Sequence, residues 1–350
     1  MGVDGMLVTN LTNVRYLSGF TGSAGLVLLL PDSQHFFSDG RYKEQARIEV
    51  PDFQIHIDTG GTNRNAGNPI SQIDELGLLA GGDRIAFEAD YVSVDTFNTW
   101  RSMFGTVQWT ESTQLVEQLA MVKDPDELAA LVEAVRITDN VFEEIQNDLK
   151  PGAVERELAA RITFLIRHLG GDGDSFDPIV ASGRNSAMPH AQPTDKQLEP
   201  GDFVVLDFGA HSGGYCADLT RTVCITTATD KHHEIYQAVL EAQRLGIAAV
   251  EANITASQVD AACRDYITTQ GYGEQFVHAT GHGLGLQVHT PPRLAKGSLD
   301  LLKDTMVVTV EPGIYIHGWG GVRIEDDILV GPNGGTPLNH SKKEPLLVLG

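Results

Sequence analysis

The chain has 350 residues, 41% hydrophobic and 21% charged, with 47 Asp+Glu against 25 Lys+Arg and a formal net charge of -22 at pH 7. That length exceeds what one hydrophobic core usually serves, so two domains are expected. The acid excess argues against a nucleic-acid backbone or an anionic membrane surface as partner, and the longest apolar run, residues 24–30, is far short of the ~20 residues that cross a bilayer.

Residues 1–6 carry no positively charged segment ahead of an apolar one and no myristoylation signal, so a cytoplasmic address is expected. Cys216, Cys224 and Cys263 form no C-x-x-C pair, which suits reduced thiols and gives neither a disulfide framework nor a structural zinc site. Residues 6–9, 25–30, 53–57 and 84–87 read as strands, and 42–50, 70–79 and 94–104 as helices, which makes an α/β domain. The Gly- and Asn-rich stretch 59–69 reads as an exposed loop within it.

The boundary falls near Lys123, giving domains 1–122 and 123–350. Asp124, Pro125 and Glu127 supply the cap, the first-position proline and the third-position acid of a helix start. Leu128, Leu131, Val132, Val135, Phe142 and Ile145 then keep a helical period, and Leu158, Ile162, Leu165, Ile166 and Leu169 repeat it after Pro151 and Gly152. Beyond Gly173 strands predominate, interrupted by helical patterns at 231–251 and 256–270, so the second domain reads as α+β.

The runs 203–208 and 215–225 read as a hairpin. A turn centred between Ser212 and Gly213 sets Asp207 directly opposite Asp218, with Cβ atoms ~5 Å apart, which destabilises a sheet unless a cation compensates. A one-residue slip would instead send one aspartate to solvent. Residues 278–289 gather His278, His282 and His289 in a glycine-rich stretch. No Glu follows His278 and the glycines oppose a helix, so this is no zincin motif; no strand–glycine–helix order makes it a phosphate loop. Glu311 ends an apolar strand before Pro312, and Glu325 shares a strand face with Arg323 and Asp327. Singly, each reads as an ordinary half-exposed strand residue. Together, Asp207, Asp218, His282, Glu311 and Glu325 form an oxygen-rich set suited to two hard divalent cations such as Mn(II) or Co(II). Such a pair can share a hydroxide and stabilise a tetrahedral oxyanion.

With D-x10-D, T-G-H-G-L-G, V-E-P-G and R-I-E-D around those five residues, the chain resembles the pita-bread metallopeptidases: prolidase, aminopeptidase P and, more distantly, methionine aminopeptidase. Residues 16–25 and 39–42 resemble the creatinase-type N-terminal domain of the first two, so the likeness runs over nearly the whole chain. It implies a creatinase-like α/β N-terminal domain before an α+β pita-bread catalytic domain, and hydrolysis of the Xaa-Pro bond at the N-terminus of peptides or in dipeptides.

The resemblance further implies that Asp207 chelates one metal, that His282 and Glu311 hold the other, and that Asp218 and Glu325 bridge both. Mn(II) is the expected ion, with Co, Fe or Zn suited to the same ligands. Glu311 would also shuttle the proton, His289 would stabilise the carbonyl oxygen, and His190 would line the proline pocket and touch the scissile group. His278 matches a further active-site histidine, and Arg323 a substrate-contacting or supporting arginine. Many relatives carry Glu after His289, whereas this chain has Thr290, Pro291, Pro292 and Arg293; Arg293 reads either as an anchor for a dipeptide carboxylate or as a surface arginine. The family implies a homodimer. The chain starts almost at its first strand, where relatives have a preceding helix, which implies a trimmed domain or a misassigned start. Metal-independent creatinase and non-catalytic binding proteins share the fold, but both readings expect a broken ligand set and this one is intact.

Overall fold

Successive side chains of a strand point to opposite sheet faces, and in the N-terminal strands both faces are apolar. Leu7, Leu26, Leu28, Phe37 and Ile85 enter one core with Trp100 and Phe104, whereas Val8, Val27 and Phe36 enter another with Val14, Phe20 and Ala46. Burial on both faces is why these strands read as continuous apolar runs. The computed structural model describes residues 2–58 and 69–350, so the expected 59–69 loop lies outside the described residues except for Pro69. The chain divides into two units, Met1–Ala120 and Met121–Gly350.

The first unit holds one six-stranded mixed sheet in the order Gln54–Asp58, Ser33–Asp39, Leu26–Leu30, Gly5–Val8, Arg84–Glu88 and Gln108–Ser112. Ser33–Asp39 and Gln108–Ser112 are not evident in the sequence. Gln34, His35, Ser38 and Asp39 dilute the apolar signal of the first, and the second is a polar edge strand. The helix expected over 70–79 shortens to Ser71–Glu75, with Gly77 just beyond it at φ +58°, a conformation that ends helices.

The second unit opens on the expected cap. Asp124 accepts from the backbone N–H groups of Asp126 and Glu127, both at 2.9 Å, while the Glu127 carboxylate accepts from Asp124 N at 2.7 Å. The Pro125–Ile145 helix buries Leu131, Val135, Phe142 and Ile145, but Val132 lies off that face, 43% exposed. This helix and Glu155–His168 pack on a sheet containing Ile179–Ser182, Phe203–Phe208 and Leu219–Ile225, through Val204, Leu206, Phe208, Leu219, Val223 and Ile225. Helices Asp230–Ala249 and Ala256–Thr269 cover a second sheet through Val308, Val310, Ile328 and Val330. The alternate residues of each sheet face away from those helices. They include Asp207 and Thr220 in the first sheet, and His282, Thr309 and Asp327 in the second.

The hairpin register differs from the expected one. Asp207 pairs with Thr220, Ser212 pairs with Tyr215, and the turn is Gly213-Gly214. Both glycines have positive φ, +59° and +99°, as a two-residue hairpin turn of the primed type requires; a turn centred on Ser212 and Gly213 would force a residue with a Cβ into that conformation. The slip is two residues in pairing, so Asp218 keeps the face of Asp207 but sits diagonal to it. Gly213→Val is therefore expected to lower unfolding free energy by about 2 kcal/mol, and Gly213→Asn by less than about 1 kcal/mol, in urea denaturation.

Candidate active site

Each of the five expected ligands sits at or near a strand end. Asp207 is next to last in Phe203–Phe208, and Asp218 immediately precedes Leu219–Ile225. His282 is central in Gly281–Gly283, Glu311 follows Val307–Val310, and Glu325 precedes Asp326–Gly331. The glycines around His282 are explained by close backbone packing. A Cβ on Gly281 would lie 2.0 Å from Thr309 O, and one on Gly283 2.2 Å from Pro291 O. His282 Nδ1 lies 3.1 Å from Gly283 O and donates to it, which leaves Nε2 as the free acceptor. That nitrogen is 3.6 Å from both Asp218 Oδ2 and Glu311 Oε1. Ligand atoms of Asp218, His282 and Glu325 all lie within 4.8 Å of one another.

Asp207 stands slightly apart from this group, its Oδ2 paired with the buried guanidinium of Arg323. Arg323 Nε donates to Thr220 Oγ1 at 2.9 Å, and that hydroxyl donates to Glu325 Oε2 at 2.6 Å. Arg323 Nη1 donates to Tyr315 Oη at 2.7 Å and to Pro189 O at 3.2 Å. The Tyr315 hydroxyl then donates to His278 Nε2 at 2.9 Å, since His278 Nδ1–H is given to Ala279 O at 2.7 Å. Both nitrogens of His278 are thus engaged in holding Tyr315 and the main chain. Thr220, Tyr315 and Asp327, whose Oδ2 accepts from Asp218 N at 3.1 Å, are supporting residues that sequence reasoning missed. Thr220 had a faint signal, a hydroxyl two residues from Asp218, but Arg221 and Thr222 beside it blur that signal; an aromatic such as Tyr315 in a strand reads as core.

Glu325, which taken singly reads as a half-exposed strand residue and taken with the other four as a ligand, is 1% exposed. Oδ1 of Asp207, Asp218 and Asp327 and Oε1 of Glu325 are buried without a hydrogen-bond partner. Burial, reinforced by the neighbouring carboxylates, pushes Asp218, Glu311 and Asp327 well above the usual carboxylate range and Glu325 to about 8. Burial also lowers His282 to about 4, so its imidazole is the neutral, ligating form at pH 7. Against the carboxyls of Asp207, Asp218, Glu311, Glu325 and Asp327, the buried guanidinium of Arg323 pairs with Asp207. The charge deficit, the orphaned oxygens and the oxygen-rich donor set fit two divalent cations.

Around this centre, His289 is exposed with its ring 4.3 Å from that of His282, beside a groove of about 450 Å³ bounded by Ser175, His211, Leu286 and Val288. His190 is exposed on the loop whose Pro189 carbonyl Arg323 holds; burial chiefly depresses His278 and His289, and nearby His190 adds to it. Arg293 is the direct cross-strand partner of His282, hence on the same sheet face, and is exposed.

Residues 129–332 match the model of metallopeptidase family M24, and residues 1–122 match the creatinase/prolidase N-terminal domain. The chain belongs to metallopeptidase family M24. It is similar to an uncharacterized peptidase of Bacillus subtilis, 43% identical over 99% of this chain and 97% of that protein. A Pyrococcus furiosus Xaa-Pro dipeptidase is 31% identical over 98% of this chain and 95% of the relative. Among solved structures, an Xaa-Pro dipeptidase from Bacillus anthracis superposes with a TM-score of 0.92 at 42% identity, covering 99% of this chain and 96% of the other. An X-Pro aminopeptidase from Thermotoga maritima gives 0.91 at 35% identity, with 99% and 98% covered. The matched M24 segment includes all five expected ligands. Among the described residues, no helix is long and apolar enough to cross a membrane.

The raised carboxyls give this M24 chain a distinctive pH dependence. Without metal, the folded state keeps protons that the unfolded chain releases above about pH 4.5, so this stability is complete below that value and is lost as pH rises toward about 8. Thermal denaturation of chelator-treated protein is expected to show Tm falling between about pH 5 and 8, and saturating Mn(II) to raise Tm most at the upper end.

Proposed function

We propose that this chain hydrolyses Xaa-Pro bonds with preference for dipeptides, using two divalent ions, Mn(II) foremost. The convergence of orphaned carboxylate oxygens on a neutral His282, next to His289 and His190, carries the reading. Asp207, Asp218, His282, Glu311 and Glu325 would hold the ions. When bound, two such ions lower the pKa of water and polarise a carbonyl.

The remaining work falls to side chains. Glu311, its carboxyl raised by burial and hydrogen-bonded at 3.4 Å by Thr309, would accept a proton and pass it to the proline nitrogen. His289 would donate to the scissile carbonyl oxygen as negative charge develops there. His190 would border the proline ring, whose tertiary amide has no N–H and asks for no acceptor. Arg323 and His278 would keep Tyr315 and the ligands in place.

The dipeptide preference is supported by Arg293. Sharing a sheet face with His282, its guanidinium can grip a carboxylate one residue beyond the scissile bond. Reduced thiols at the buried Cys216, Cys224 and Cys263 would suit a reducing, cytoplasmic setting. Homodimerisation is proposed on the family resemblance alone.

Asp218→Ala is expected to abolish both Mn(II) binding in calorimetry and hydrolysis of Ala-Pro; full activity of that variant overturns the assignment. Activity insensitive to chelation would instead favour a creatinase-like hydrolase. With Mn(II), Ala-Pro should be cleaved and Ala-Pro-Ala left intact, and Arg293→Gln should raise KM for Ala-Pro about tenfold with little change in kcat. Equal cleavage of both peptides would make the chain an aminopeptidase.

A further inference from the structure

Glu155, the first residue of the Glu155–His168 helix, is 0% exposed, yet its side-chain hydrogen-bond partners are all neutral. Oε1 accepts from Ser182 N and Ser182 Oγ, both at 2.7 Å. Oε2 accepts from Thr194 N at 3.0 Å and Thr194 Oγ1 at 2.6 Å. Asn185 Nδ2 lies 3.2 Å from each oxygen. One carboxylate therefore closes the neck of residues 182–194, one oxygen per end.

That loop carries His190. Within it, Ser186 Oγ accepts from Gly321 N at 2.8 Å and Pro189 O accepts from Arg323 Nη1 at 3.2 Å. Among the described residues no hydrogen bond holds the His190 side chain, which is exposed; only the loop sets where the imidazole stands. We infer that Glu155 is a positioning residue for His190, fixing through both ends of the loop the imidazole that borders the substrate. The inference rests on the Xaa-Pro reading for its substrate alone.

The need for a carboxylate follows from the donors. Two of them are main-chain N–H groups, which cannot turn away, and they approach different oxygens. A glutamine must present its NH2 to one of these, so Glu155→Gln opens one end of the loop while filling the same volume. Thr194→Val is milder: it removes one hydroxyl donor to Glu155, together with the bonds that hydroxyl accepts from Lys196 N at 3.1 Å and Asn185 Nδ2 at 3.3 Å, and leaves the main-chain contact.

The experiment compares the wild type with Glu155→Gln, Thr194→Val, His190→Ala and the Glu155→Gln/His190→Ala double variant on Ala-Pro with Mn(II). Glu155→Gln is expected to raise KM about tenfold with kcat within about threefold, and Thr194→Val to raise KM about threefold. Adding His190→Ala to Glu155→Gln should cost less than about twofold more, although His190→Ala alone costs far more than that. Full additivity, or a fall in kcat at unchanged KM, overturns the inference. Should Glu155→Gln not fold, Thr194→Val and its double variant with His190→Ala carry the same comparison.

Amide hydrogen exchange supplies a readout independent of activity. Exchange should quicken across 183–193 in Glu155→Gln and stay unchanged across 203–225; uniform acceleration would mark a merely structural role and overturn the inference. A wild type that leaves Ala-Pro intact, while exchange loosens only at 183–193, would sink the Xaa-Pro reading and not the anchoring of the loop.

Discussion

Repulsion among Asp207, Asp218, Glu311, Glu325 and Asp327, all held between two sheets, is the constraint to which the catalytic unit is fitted. Hydrophobic burial of the opposite sheet faces forces these carboxylates inward: Val204, Leu206 and Phe208 take one side of their strand to the helices, and alternation leaves Asp207 the other. The charge so placed raises its own protonation tendency, and Arg323 answers only part of it. A site that destabilises the protein in one protonation state is what a strong cation site looks like before the cation is counted.

The neighbouring residue shows that the unit can neutralise buried charge when it has no use for it. Asp326, as buried as Glu325, pairs with Arg221 at 2.6 Å and with Lys343, and accepts from Gln243 at 2.8 Å. Burial alone would push its carboxyl up, but those two cations hold it below the usual range. Asp218 meets carboxylates in place of cations and moves the opposite way. Adjacent positions thus divide between Asp326, held in a satisfied ion pair, and Glu325, which keeps a buried oxygen without a hydrogen-bond partner. The overall acidity divides likewise: Asp207, Asp218, Glu311 and Glu325 account for four of the 47 acidic residues, and most of the rest dress the solvated surface.

Precision at the site comes from neutral groups. Glycines at 281 and 283 let backbones approach His282 more closely than any side chain would permit, and Thr220 joins Glu325 to Arg323 through one hydroxyl. A chain of donors from Arg323 through Tyr315 to His278 fixes the tautomer of that histidine, which fits it for support more than for proton transfer.

The sequence by itself determined the elements with strong local signals: the Asp124–Glu127 cap, the amphipathic helices, the doubly buried strands, and five metal-ligating residue types in a recognisable order. It left out Ser33–Asp39, whose polar residues hide its period, and it misplaced the hairpin turn, because choosing Gly213-Gly214 depends on two positive φ angles. Tertiary structure alone decided that Asp218 lies diagonal to Asp207, that Glu325 is buried, that Asp207 meets Arg323, and that Arg293 shares a face with His282. The reason is separation along the chain. Caps and periods are written within a few residues, whereas the contact of Arg323 with Asp207 joins positions 116 residues apart and exists only once both sheets have packed.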